Sequence, residues 1–345
     1  MSSIVFPDGK WEEASRTGWR NELLAQADAS FAAFGSIGTV VVHQGRVLLA
    51  SGATDEKVLI RSIRKSFLSA LIGIEVERGT IRLDATMADL SIDDVEGLTE
   101  AERQATARHL LQARSGIYHP AVAETKEMTA GKPPRGSNGP GNYWHYNNWD
   151  FNALGTIYEQ ATGEAVFHGV MTGIAAKIGM QDFHSSDGAY LRGPQSLHPA
   201  YHMHMTARDL ARFGWLYLNG GRWNGVHIVP EQWVHDSVSA HSFNGEAGYG
   251  YMWWTTGHGG EAQNEKVSKY RAYLPPFRFF AHGAFGQMIA VMPAKQVVIA
   301  NVAQSIERSP EQAAALWQGV SLVMEAVSRW DDDGEPHHSC LEPQW

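Results

Sequence analysis

Arg61-Ser62-Ile63-Arg64-Lys65-Ser66-Phe67 is the stretch on which the reading of this chain turns. Ser62 and Lys65 stand three residues apart at the mouth of an apolar run, so a helix puts both side chains on one face. A lysine amine placed there can reach the serine hydroxyl and, when neutral, help to take its proton. The pattern is short, and a chain of this composition supplies about one chance match. The plain alternative is a surface serine and a solvated lysine near a helix start. The rest of the chain has to decide.

Outward from this stretch, residues 62–77 read as a helix with Phe67, Leu68, Leu71, Ile72, Ile74 and Val76 nearly all round it, ended by Gly79. A helix without a polar face belongs in the middle of a fold. Upstream, Leu23, Leu24, Ala27, Phe31 and Phe34 recur at helical spacing over residues 19–34. Two β-branched runs, 37–43 and 46–51, then meet at Gln44-Gly45, a hairpin signal.

From residue 84 to 241 the signals are mostly helical. A short helix over 106–114 stops at Ser115-Gly116, and another over 149–161 closes at Thr162-Gly163. Thr206 caps a helix over 207–218, with Asp209 at the capping-box position and Gly220-Gly221 at its end. Pro230 opens a helix reaching Val238. Residues 119–142, rich in Gly, Pro, Asn and Lys, are too long for a simple connection, and the loop over 119–144 reads as a roof over a pocket. Trp144 and His145 would then touch substrate.

Strand chemistry returns after Gly248, with a meander over 277–282, 287–292 and 296–302, followed by a helix over 310–327. The expected fold class is therefore α+β. One antiparallel sheet is built from both termini and flanked by helices, with a mostly helical domain inserted. Residues 1–83 and 242–345 would form the sheet domain, residues 84–241 the helical one, and the active site would lie between them.

Bulk properties exclude several classes. The chain has 345 residues, enough for one large core or two closely packed domains. A net charge of −9 argues against a nucleic-acid surface, and the acidic run Asp331-Asp332-Asp333-Gly334-Glu335 reads as a solvated end. No apolar run is long enough for a membrane span, and residues 1–25 lack a signal segment, so a cytoplasmic protein is expected. The single cysteine, Cys340, leaves no internal disulfide or cysteine metal cluster. Among 16 histidines, His202 and His204 alternate and His337-His338 are adjacent, but none has the His-Glu-x-x-His spacing of a zinc helix. No metal and no organic cofactor are expected. A Gly-x-Ser-x-Gly elbow, a phosphate loop and a dinucleotide fingerprint are also missing.

Two further elements carry chemistry. Tyr146-Asn147-Asn148 stands immediately before a helix. A tyrosine beside a lysine ammonium can ionise more easily and serve as base and acid, while Asn148 can bind a substrate carbonyl and Lys65 together. The plain alternative is a packing aromatic followed by an Asn helix cap. The other element is Ala281-His282-Gly283-Ala284-Phe285-Gly286-Gln287 at the turn of a strand pair. Glycines there let a substrate approach backbone N–H groups, although a plain hairpin would look the same. At a helix start, Ser62 also faces unpaired N–H groups, and that field, with Arg61 and Arg64 nearby, lowers the proton affinity of Lys65.

In this order and at these intervals, Ser62-x-x-Lys65, Tyr146-x-Asn148 and the late glycine strand resemble the serine β-lactamase and penicillin-binding protein superfamily. The similarity is to the branch of class C β-lactamases, DD-peptidases and related esterases, and it spans nearly the whole chain. Arg108-His109-Leu110-Leu111 with Ser115-Gly116, Met205-Thr206-Ala207-Arg208-Asp209-Leu210-Ala211, Asn219-Gly220-Gly221-Arg222-Trp223-Asn224-Gly225 and Gly248-Tyr249-Gly250-Tyr251-Met252-Trp253-Trp254 look like the same branch. The resemblance implies Ser62 as the acylated nucleophile, Lys65 as its proton partner, Tyr146 as shared base and acid, and Asn148 as the residue that orients substrate. It also implies an oxyanion hole made by the N–H of Ser62 and one from the late strand.

On that strand the chain departs from the branch. β-Lactamases and DD-peptidases usually carry Lys-Thr-Gly or His-Thr-Gly there; this chain has Ala281-His282-Gly283 or His282-Gly283-Ala284, depending on alignment. Gly283-Ala284-Phe285-Gly286-Gln287 looks most like 6-aminohexanoate-dimer hydrolases and allied esterases, which makes Ala284 the second oxyanion donor. His258-Gly259-Gly260 is a rival for the same role. Losing the strand lysine removes a cation for a substrate carboxylate, and His282 replaces it only when protonated. The expectation is a serine hydrolase acting on a small-molecule ester or amide, with weak or absent β-lactamase activity. A β-lactamase or D-amino-acid peptidase with the same nucleophile is the first alternative, and a non-catalytic binding protein of the same fold the second. Oligomeric state is not legible.

Overall fold

The computed structural model describes residues 5–7, 9–15, 19–243, 247–256 and 279–333, with side chains as far as residue 328. The chain begins with α1 (Asn21–Phe34), β1 (Ser36–His43), β2 (Arg46–Gly52) and β3 (Val58–Leu59). A tight 3-10 turn, Arg61–Ile63, leads into α2 (Arg64–Glu77). Three short helices follow, α3 (Glu100–Arg103), α4 (Ala107–Leu111) and α5 (Lys126–Ala130), and then α6 (Asn148–Thr162) and α7 (Val166–Gly169). Next come β4 (Gly188–Gly193), β5 (Ser196–Met205), α8 (Ala207–Leu218), β6 (Arg222–Trp223), β7 (Val226–His227) and α9 (Glu231–Ser237). The last part comprises β8 (Ser242–Phe243), β9 (Gly248–Tyr249), β10 (Trp254–Thr255), β11 (Phe279–Gly283), β12 (Gln287–Met292), β13 (Val297–Ala303) and α10 (Pro310–Asp333).

The expected sheet from both termini forms: its order is β2-β1-β13-β12-β11-β10-β9-β8, antiparallel throughout. Its central strands alternate between two apolar layers. Val40, Val42, Ile289, Val298 and Ala300 face the layer that holds Phe67 and Leu68 of α2 and Phe213 of α8. Val41, Met288, Ala290 and Ile299 face the opposite layer, with Phe31 of α1 and Leu316, Val320 and Val323 of α10. A period of two with both faces covered is what makes these strands read as continuous apolar runs. Gly214 lets α8 lie close on the sheet, since a Cβ there would stand 2.5 Å from Val298 Cγ1. At Gln44-Gly45 both residues take positive φ, the geometry of a two-residue hairpin turn.

Residues 84–241, expected to be mostly helical, also contribute strands, two of which join β3 from the preceding segment. β3, β5 and β4 form a second, three-stranded sheet, and β6 pairs with β7. The strand β5 is hard to see because His198, Pro199, His202 and His204 interrupt its apolar residues. Its alternation is nonetheless that of a strand: Tyr201, Met203 and Met205 are buried, while His204 is exposed. Thr206 caps α8 by accepting from Asp209 N–H at 3.2 Å. Asp209 does not close a capping box; its carboxylate takes the N–H groups of Gln181, Asp182 and Phe183. Among the described residues, no helix is long and apolar enough to cross a membrane.

Candidate active site

The turn that carries Ser62 is built on the second sheet. Leu59 pairs with His204, and Ile60 N–H donates to Met203 O at 3.0 Å, which carries the chain straight into the turn. Arg61 there adopts φ 53°, a left-handed conformation costly for a residue with a Cβ. Ser62 follows at the start of the helical run, half-buried. One turn later Lys65, only 3% exposed, places Nζ 3.0 Å from Ser62 Oγ. The geometry read from the three-residue spacing is therefore present.

Lys65 Nζ also meets the Tyr146 hydroxyl at 2.5 Å and Asn148 Oδ1 at 2.8 Å. Its amine nitrogen lies over the rings of Tyr146 and Phe151, 4.3 and 4.5 Å from their centroids. Burial pushes the Lys65 pKa well below the ordinary lysine value, and the neighbouring Arg64 lowers it further. A neutral amine has two N–H donors and one lone pair, so among its three partners it can accept a proton from a hydroxyl. Tyr146 behaves differently from the expectation that it would ionise easily. Burial raises its pKa, and that desolvation outweighs the lowering by Ser62 and Arg64. The resting site thus pairs a weakly basic amine with a protonated phenol.

Asn147 and Asn148 divide the tasks that the sequence left open between them. Asn147 is the cap of α6, its side chain accepting from Trp149 N–H at 3.2 Å. Asn148 faces the site; its amide donates to Ala123 O at 2.7 Å while its oxygen receives Lys65. Asn152, one turn on, donates to Val122 O at 3.1 Å and accepts from Arg64 at 3.4 Å. Arg64 in turn lies 4.4 Å over the Tyr201 ring. The 119–144 segment is consequently fastened to α6 and is not a bare loop. Within it Lys132 pairs with Glu124 at 2.5 Å and donates to His119 O at 2.6 Å, and Arg135 pairs with Glu102 at 2.9 Å.

Trp144 and His145 flank Tyr146 in different ways. Trp144 packs edge-on against Tyr249 and Trp254, and Trp254 stacks on Tyr146 at 5.7 Å. His145 is held by its N–H to Ala113 O at 2.9 Å and by an edge contact with Tyr118. Sequence reasoning missed Tyr249, Trp254 and Asp150 as neighbours of the site. Asp150 lies buried four residues after Tyr146, accepting from Ser115 Oγ at 2.5 Å and Asn147 Nδ2 at 3.2 Å. Its position in the first turn after Tyr146-x-Asn148 was a usable signal.

The late strand reaches the same turn. β11 pairs with β12 as far as Gly283 opposite Gln287. A Cβ on Gly283 would stand 2.6 Å from Ile60 O and 3.0 Å from Arg61 Cβ, so glycine is required by close approach. Ala284–Gly286 then form a 3-10 turn, with Phe285 at φ 67° and Gly286 at φ 88°. The His282 and Ala284 side chains open to solvent, and Gly283 is buried between them. Desolvation lowers the His282 pKa from the ordinary histidine value. The rival His258-Gly259-Gly260 lies outside the described residues. Among the described residues, no group of three His, Cys, Asp or Glu side chains could hold a metal ion.

Comparison with known proteins agrees with this arrangement. Residues 24–321 match the Beta-lactamase family. An uncharacterised protein of Alkalihalophilus pseudofirmus is 23% identical over 286 residues, 74% of this chain and 76% of that one. A Bacillus anthracis protein assigned as a 6-aminohexanoate-dimer hydrolase shares the fold with a TM-score of 0.66, at 20% identity over 88% of this chain and 82% of its own. A class C beta-lactamase bound to cefoxitin superposes with a TM-score of 0.63, at 16% identity over 87% of this chain and 99% of its own. A Bacteroides dorei protein assigned as a beta-lactamase gives 0.64, at 17% identity over 90% and 99%. With its fold, its family match over most of its length and a Ser-x-x-Lys pair joined to a tyrosine, the chain belongs to the beta-lactamase family of serine hydrolases.

Proposed function

We propose that the protein hydrolyses carboxylic esters or small amides through a covalent acyl-enzyme on Ser62. The observation that carries this reading is the single buried amine of Lys65, in contact at once with Ser62 Oγ, the Tyr146 hydroxyl and Asn148 Oδ1. In the reaction Ser62 Oγ bonds to the substrate carbonyl carbon, and its proton passes to the Lys65 amine. The Tyr146 phenol donates a proton to the departing alkoxide or amine as the carbonyl bond to it breaks, and Lys65 reprotonates the phenol. A water then attacks the acyl-enzyme by the reverse route and frees the acid. Asn148 orients the substrate carbonyl, and the N–H groups of Ser62 and of Ala284, next to Gly283 and His282, receive the oxyanion. The substrate occupies the boundary between the sheet domain, residues 1–83 with 242–345, and the inserted residues 84–241.

Preference for substrates without a carboxylate rests on His282. The ordinary histidine value of about 6.5 already leaves it mostly uncharged near pH 7, and desolvation shifts it further the same way, so it is a poor substitute for a lysine that would pair with a β-lactam or peptide carboxylate. The likeness to a protein assigned as a 6-aminohexanoate-dimer hydrolase supports small amides as substrates beside esters. Turnover of p-nitrophenyl butyrate by the wild type, abolished in Ser62→Ala with the circular dichroism spectrum unchanged, is the expected result. Near-wild-type turnover in Ser62→Ala would remove Ser62 as nucleophile. Faster turnover of nitrocefin than of the ester would replace the esterase reading by a β-lactamase one, and the absence of any fluorophosphonate label on Ser62 would favour a binding protein.

A further inference from the structure

We propose that Arg61 and Phe285 form a brace that sets the spacing of the two backbone donors receiving the carbonyl oxygen, which makes both of them positioning residues. The inference rests on the acyl-transfer reading above and goes beyond it. Two chain segments have to present their N–H groups to one oxygen, and in each the donor adjoins a residue in left-handed conformation. Arg61, at φ 53°, precedes Ser62, and Phe285, at φ 67°, follows Ala284. These two strained residues meet: the Arg61 guanidinium lies over the Phe285 ring, 5.3 Å from its centroid. Arg61 Nε is further steadied by Ser305 Oγ at 3.3 Å.

Behind the ring the turn is held by its carbonyls. Arg308 donates to Phe285 O at 3.0 Å and, through its other nitrogens, to Phe34 O at 2.6 Å and Gln304 O at 3.1 Å. Asn301 donates to Gly286 O at 2.7 Å. The oxyanion turn is therefore fixed to the sheet from one side and to the nucleophile turn through Arg61 from the other. Gly283, in van der Waals conflict with any side chain beyond hydrogen, closes the gap between them. An oxyanion hole depends on donors that are in place before the charge develops, so a brace of this kind acts on the chemical step and not on substrate binding.

A double-mutant cycle on p-nitrophenyl butyrate hydrolysis tests the brace, using Arg61→Ala, Phe285→Leu and the pair. Each single variant is expected to lower kcat about tenfold, with KM changed by less than about twofold. The double variant should fall no further than the worse single one, and Arg61→Lys should recover part of the rate. Inhibition by phenylboronic acid, which forms a tetrahedral adduct on a serine, should weaken by the same factor as kcat. Wild-type kcat in the single variants, losses that multiply in the double one, or losses confined to KM would overturn the brace. A drop in rate that merely follows a melting temperature below the assay temperature would overturn it as well. If Phe285→Leu does not fold, Arg61→Ala and its rescue by lysine decide the matter. An active wild type with unaffected variants removes the brace alone, whereas a wild type neither active nor labelled at Ser62 removes the acyl-transfer reading with it.

Discussion

Lys65 Nζ stands 2.5 Å from the Tyr146 hydroxyl and 3.0 Å from Ser62 Oγ, so one buried amine joins the two hydroxyls to which the proposed reaction gives the attack on the carbonyl and the protonation of the leaving group. The two partners are shifted in opposite directions by the same burial, Lys65 downward and Tyr146 upward. The ascending limb of kcat/KM belongs to loss of a proton from Lys65, and the descending limb to loss of one from Tyr146. The rate on p-nitrophenyl butyrate should therefore rise through a titration well below the ordinary lysine value and hold its plateau past the ordinary tyrosine value of about 10. A rate still climbing at about pH 10, as an unperturbed lysine would give, speaks against a neutral Lys65.

Tyr146→Phe removes the hydroxyl and leaves the ring stacked on Trp254. The variant should lose roughly 10²- to 10⁴-fold in kcat and keep its melting temperature within a few degrees. Retention of most of the rate, measured beside an unchanged melting curve, would demote Tyr146 to a packing residue.

Gly283→Ala places a methyl group 2.6 Å from Ile60 O, a backbone atom that has to move with the nucleophile turn. Overpacking of this sort costs about 1–3 kcal/mol, and here it also parts β11 from Ser62. Both the melting temperature and kcat should fall, the latter by more than about tenfold as oxyanion alignment is lost. A fully active Gly283→Ala enzyme would exclude the strand end from the site.

Asp150 is buried, and burial raises its carboxyl pKa well above the ordinary value despite the hydrogen bonds from Ser115 and Asn147. The folded state therefore holds a proton that the unfolded chain has already released, and stability falls as pH rises from about 4 toward the folded pKa. Asp150→Asn keeps an oxygen for Ser115 and Asn147 and carries no charge. It should stabilise the protein by about 1–3 kcal/mol at neutral pH and by less at pH near 4, read from chemical denaturation at the two pH values. Equal effects at both would show that folding does not raise the Asp150 pKa.

The sheet and its central helices were legible because their residues repeat. Val40, Val41 and Val42 alternate between two layers, and α2 carries apolar residues on every side, so pattern and burial agree. Ser62, Lys65, Tyr146 and Asn148 were legible because one helical turn and one cap position fix their local geometry. What pattern could not carry was long-range or electrostatic. β5 hides its alternation under histidines and a proline, and Asp209 serves three amides from another segment instead of its own helix start. The direction of the Tyr146 shift depends on how deeply the phenol is packed by Tyr249, Trp254 and Phe151, which no local stretch records. The contact of Arg61 with Phe285 is likewise made only when the two ends of the chain enter one sheet.

A covalent acyl-enzyme on Ser62 is open to capture by intact-mass spectrometry after rapid acid quench of the protein mixed with p-nitrophenyl butyrate. A transient species heavier by one butyryl group is expected, located on the peptide containing Ser62 and absent from Ser62→Ala. Ester turnover with no such adduct at any quench time, or an adduct on another residue that persists in Ser62→Ala, would contradict it.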